Sequence, residues 1–208
     1  MRSPARPLCL SALLLVASVI PAAAEKETLQ QRGLVADANF EFIDAAGCVV
    51  TEIAVFAVRD ANRSTSAPRW RDSWANVVLF RYDLCQEEFT VLDYASGLTY
   101  LESGEAGTFA MSPGLHKATL RTRVEVSGMA LHTVDLDLEW SAAGPLYNGR
   151  QRAHYEFPSG MTIDTRLHGR QRLAQAAGTV WVSGERLDAR SSYGNMVSTQ
   201  NRTVTITH

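Results

Sequence analysis

Apolar residues recur at every second position through much of the chain. Phe40 and Phe42 alternate with Glu41. Leu120, Thr122, Val124 and Val126 alternate with Arg121, Arg123 and Glu125, while Val134, Leu136, Leu138 and Trp140 alternate with Asp135, Asp137 and Glu139. A period of two belongs to a strand with one face in a core and the other in water. On this basis strands are expected at 36–43, 49–58, 77–84, 88–94, 98–102, 107–111, 117–126, 131–140, 151–157, 161–167, 179–183 and 202–207. Residues 49–58 are apolar on both parities, as in a strand covered on both faces.

Helical signals are few. EKETLQQR (25–32) could supply a turn or two, and RQRLAQAAG (170–178) reads equally as a short helix ended by glycine or as a strand of small residues. The polar stretch from Arg59 to Asn76 reads as one long irregular insertion. About ten strands separated by Gly-containing turns predict an all-β, antiparallel β-sandwich, with a closed β-barrel as the alternative.

The first residues change the picture. Arg2 and Arg6, the apolar run Leu8–Ile20 and the small residues Ala22-Ala23-Ala24 form the three regions of a secretory signal peptide. The apolar run is shorter than the ~20 residues of a membrane-spanning helix. The expectation is a signal peptide at 1–24 and a single β domain at 25–208. The mature chain would then be secreted or periplasmic, of bacterial type, with no insertion into a membrane. Losing Arg2 and Arg6 takes the formal charge from −2 to −4. Mild acidity provides no footprint for nucleic acid.

Export makes a disulfide between Cys48 and Cys85 the default, because the compartment is oxidising. Each cysteine borders an apolar run, and neither has a neighbouring base that would mark a nucleophile.

Candidate chemistry is sparse. The Asp135, Asp137, Glu139 trio stands in a straight row at ~7 Å pitch, too spread to wrap one cation. A hairpin turning through 127–131 sets Arg123 opposite Asp135 and Arg121 opposite Asp137, which accounts for the acids as ion pairs. His154 and Glu156 share a strand face, but no motif of metal-ligand spacing accompanies them, so no metal or cofactor is assigned. Ser159, Asp164 and His168 offer triad residue types without a Gly-x-Ser-x-Gly elbow.

The clearest functional cue is PRWRDSW, where Trp70 and Trp74 accompany Arg69 and Arg71. Aromatic and arginine side chains together are typical of binding surfaces. The expected role is therefore non-catalytic, binding or structural, toward a protein or carbohydrate surface. Two alternatives stand beside it: a small barrel carrying an apolar ligand, and a secreted hydrolase whose site is assembled from distant residues.

Overall fold

The computed structural model describes residues 26–65, 70–86, 89–101, 107–189 and 191–207; the signal-like segment 1–24 lies outside them. Ten strands are present: β1 (Lys26–Ile43), β2 (Val49–Ser64), β3 (Trp70–Asp83), β4 (Thr90–Tyr100), β5 (Gly107–Met111), β6 (Lys117–Gly128), β7 (Leu131–Glu156), β8 (Thr162–Val182), β9 (Glu185–Leu187) and β10 (Ser191–Thr207). The described residues contain no helix. Both segments with helical signals are strand among the described residues: 26–32 falls on β1 and 170–178 on β8. Ladder bonds to neighbours on both sides outweigh the weak local preference there.

All strands belong to one antiparallel sheet, ordered β10-β1-β2-β3-β4-β6-β7-β8-β9, with β5 beside β6 and β10 also paired to β8. The sheet therefore returns on itself around a single core. Among the described residues its narrowest seam is β4–β6, where Ala95↔Gly128 and Ser96↔Ser127 pair. Glycine is required here by close approach. A Cβ at Gly97 would lie 2.0 Å from the Glu125 carbonyl oxygen, and one at Gly128 2.0 Å from that of Tyr94.

The core is the inner parity of every strand. It includes Ala36, Ala38 and Phe40 of β1, Ile53 and Val55 of β2, Val77 and Leu79 of β3, Leu120 and Val124 of β6, and Leu138 and Trp140 of β7. Burying one large aliphatic side chain contributes roughly 1.5–3 kcal/mol.

The segment 59–76 is not an irregular insertion. β2 and β3 stay paired out to Asn62↔Trp70, so most of it is the far end of two strands. Their outer rungs carry mostly polar side chains, among them exposed Arg59 and Arg71 and buried Asn62, so the apolar alternation that marks a strand vanishes there. Residues 146–150, between the strands expected at 131–140 and 151–157, also pair with β8 although nearly every side chain is exposed, so those two strands are one. At the opposite end of β2 and β3, just past Val49↔Asp83, Cys48 and Cys85 are disulfide-bonded with a Cα separation of 5.1 Å.

Candidate functional site

The sheet has two open ends, and each gathers polar side chains. At the first, the parity is fixed by Ala36, Ala57 and Ala75, which are in register across β1, β2 and β3 and fully buried. Both ladders continue without a slip through Leu34↔Arg59↔Ser73 to Arg32↔Ala61↔Arg71. Arg32, Arg59 and Arg71 thus share the inner face, one or two rungs above the core. They border an open pocket of about 970 Å³ whose lining also includes Asp60, Asp72, Leu34, Leu101 and Ser198. Among the described residues none of the three forms an ion pair. Guanidinium groups so placed can donate several hydrogen bonds to one anion.

The outer face of the same rungs is different. Asp60 lies directly opposite Asp72, and burial together with the neighbouring Asp72 charge pushes the Asp60 carboxyl above its ordinary pKa. One rung inward, half-buried Trp74 is flanked in register by buried Val58 and exposed Tyr100. Of the residues singled out in PRWRDSW, Arg71 therefore belongs to the pocket and Trp74 to the outer face. The Trp70 backbone pairs with Asn62, and Arg69 lies outside the described residues. The alternation reading missed Arg32 and Arg59, although they continue the inner series Ala36–Leu34 and Ala57–Val55 outward.

The acidic trio is paired on the outer face of the hairpin, Asp135 and Asp137 with arginines directly opposite and Glu139 with a lysine on the diagonal. Arg123 Nε meets Asp135 at 2.5 Å, Arg121 meets Asp137 at 2.7 Å, and Lys117 Nζ meets Glu139 at 2.5 Å. These exposed pairs account for all three carboxylates. Ser159, Asp164 and His168 are not assembled. Asp164 bonds His154 Nδ1 at 2.9 Å, Ser159 accepts from the Met161 amide within its turn, and His168 pairs in register with Asn201 of β10.

A different set of these residue types does meet, at the second open end, roughly 27 Å along β3 from the arginines. His132 Nε2 lies 2.6 Å from Asp93 Oδ2, and His132 Nδ1 lies 3.3 Å from Ser183 Oγ. Asp93 is buried, with its side chain 9% exposed, and His132 is nearly so. Asp93 follows a β-bulge: β4 pairs Asp93 with Arg81 but Val91 with Tyr82, leaving Leu92 unpaired. Its second carboxylate oxygen, Oδ1, is buried without a hydrogen-bond partner. Ser183 sits in the two-residue turn between β8 and β9 at φ 51°, followed by Gly184 at φ 86°. The three positions come from β4, the start of β7 and the β8–β9 turn, so no sequence motif announces them.

No family model matches this chain, and no curated protein sequence matches it. Three solved structures are similar to it at low levels. A protein assigned as AttH, from Nitrosomonas europaea, is 14% identical with a TM-score of 0.36, over 83% of this chain and 51% of the other. An acetoacetate decarboxylase-like enzyme from Sphingomonas wittichii RW1 is 9% identical with a TM-score of 0.30, over 85% and 92%. The enduracididine biosynthesis enzyme MppR is 8% identical with a TM-score of 0.22, over 88% of each chain. This chain spans about half the length of the AttH protein. At these values the likenesses carry no functional argument.

Proposed function

We propose that residues 25–208 form an exported binding domain that takes an anionic group into the pocket bounded by Arg32, Arg59 and Arg71. The observation that carries this reading is the register of those three arginines on one inner face, where none of them forms an ion pair among the described residues. Support for export comes from the signal-like residues 1–24 and from the Cys48–Cys85 disulfide. The interior is occupied by Trp140, Ile53, Leu79, Leu115, Leu120 and Met196, all below 2% exposed. That filling favours a ligand held at an open end over an apolar one enclosed within.

The group recognised is a carboxylate, sulfate or phosphate, on a small molecule or on a carbohydrate or protein chain. Charge-assisted hydrogen bonds contribute about 1.5–3 kcal/mol each, so one arginine accounts for roughly a 10- to 100-fold change in affinity. The test is a thermal-shift and calorimetric screen of carboxylated, sulfated and phosphorylated sugars and small acids against neutral analogues. Binding of anionic members only, weakened at high salt and at least 10-fold by Arg59→Ala, is the expected result. Equal binding of neutral analogues, or wild-type affinity in Arg59→Ala, overturns it. Export is checked by sequencing the mature N-terminus, expected to begin at Glu25, in the extracytoplasmic fraction.

A further inference from the structure

We infer that Ser183 is an activated nucleophile for short acyl esters, with His132 as its base and Asp93 as the group that positions the base. This site is separate from the arginine pocket and goes beyond a binding role.

The chemistry follows from the hydrogen-bond partners. An ionised carboxylate can only accept, so Asp93 Oδ2 holds the proton-bearing nitrogen of neutral His132 at Nε2. The other nitrogen, Nδ1, then presents its lone pair to Ser183 Oγ at 3.3 Å, within the range seen before substrate tightens such contacts. The ring is used in the opposite sense to the familiar serine-hydrolase arrangement, yet each group has the same role. Three further features fit this use. The β-bulge at Leu92 re-aims Asp93 toward the histidine, a recurrent function of bulges beside reactive sites. The orphaned Asp93 Oδ1 is a cost that ion-pair stabilisation alone does not explain. The amide of Gly184 follows the nucleophile in a tight turn, the position from which a backbone N–H commonly stabilises the oxyanion.

The substrate class comes from what adjoins the turn. Val182, next to Ser183, lines an open pocket of about 270 Å³ whose lining is mixed, with apolar Phe42 and Leu79 beside charged Asp44, Arg81 and Arg186. That space suits a short acyl chain. Ser183 Oγ attacks the ester carbonyl and its proton passes to His132 Nδ1. The Oγ–C bond forms, the C–OR bond breaks, and His132 returns the proton to the departing alkoxide. Water then attacks the acyl-serine by the same proton route, releasing the acid and restoring Ser183.

The experiment treats the purified chain with a fluorophosphonate probe and follows it by intact mass and peptide mapping, alongside p-nitrophenyl butyrate hydrolysis. One adduct on Ser183 is expected, absent in Ser183→Ala and in Ser183→Gly. Both variants change an exposed turn residue, and Gly tolerates its φ. Asp93→Asn should slow labelling at least 100-fold while keeping the melting temperature within a few degrees, and should abolish a downfield imidazole N–H resonance of His132. Asp137→Asn, at an exposed ion pair outside both sites, should label at the wild-type rate, and labelling is read without any added anion, so failure here and failure of the anion-binding reading are separable. Absence of an adduct on Ser183, or hydrolysis undiminished in Ser183→Ala, overturns the inference.

Discussion

The indole Nε1 of Trp140 donates to the main-chain carbonyl of Asp37 over 2.6 Å, joining β7 to β1 through the core. Trp140 is fully buried, and the absence of a side chain at Gly194 leaves the space between the two: a Cβ there would lie 2.1 Å from the same carbonyl oxygen and 3.2 Å from Nε1. Trp140→Phe keeps an aromatic ring but removes the donor and part of the volume. It should lower stability by about 2–3 kcal/mol in urea denaturation at an unchanged m-value.

The ion pairs on the outer face of β6 and β7 should matter far less. Asp137 and Arg121 are half or more exposed, so solvent screens their attraction. Asp137→Asn is expected to cost under ~1 kcal/mol, and the difference from wild type should disappear in 1 M salt.

Asp60 is the opposite case, a carboxylate the fold tolerates poorly. Burial, then repulsion from Asp72, raises its pKa from the ordinary 3.8. Folding therefore favours its protonated form. That contribution is fully present below the unfolded value and is lost as pH rises through the folded one. At neutral pH, Asp60→Asn should stabilise the protein by roughly 0.5 kcal/mol, the size of an unfavourable cross-strand pair. The gain should shrink to nothing as denaturation is repeated at pH values below about 3.8. A gain that grows in acid contradicts the assignment.

Removing the disulfide with Cys48→Ala and Cys85→Ala should cost roughly 3–4 kcal/mol, the loop-closure figure for a bridge across 37 positions. Melting temperatures of the double variant and of the reduced wild type should agree, since neither cysteine has another role in the fold.

Much of the architecture is legible in the chain because burial imposes a period. Where one face of a strand meets the core, as in 117–126 and 131–140, alternation gives both the element and its register, down to Arg123 opposite Asp135. Where a strand runs past the core, the period has no cause. Residues 26–35 and 59–64 look like loops or turns, although their backbones are fully laddered. The two candidate sites are hidden for related reasons. Arg32 and Arg59 lie on such overrunning ends, and Asp93, His132 and Ser183 are brought together only by closure of the sheet. Opposite charges at matching positions of 117–126 and 131–140 make the ion pairing of the acidic trio legible, whereas nothing local marks His132.

The pairing of β1 with β10, from Lys26↔Thr207 to Glu41↔Ser191, also orders events in time. The first strand to emerge from a ribosome or a translocation channel acquires this partner only from the last. Until then β1 has one unsatisfied row of amides and carbonyls, an edge that invites pairing with a neighbouring chain. Contacts this distant along the chain also slow closure, since the loop entropy must be met before they form. Nascent copies thus pass through a vulnerable window whose length is set by how long the last strand takes to arrive.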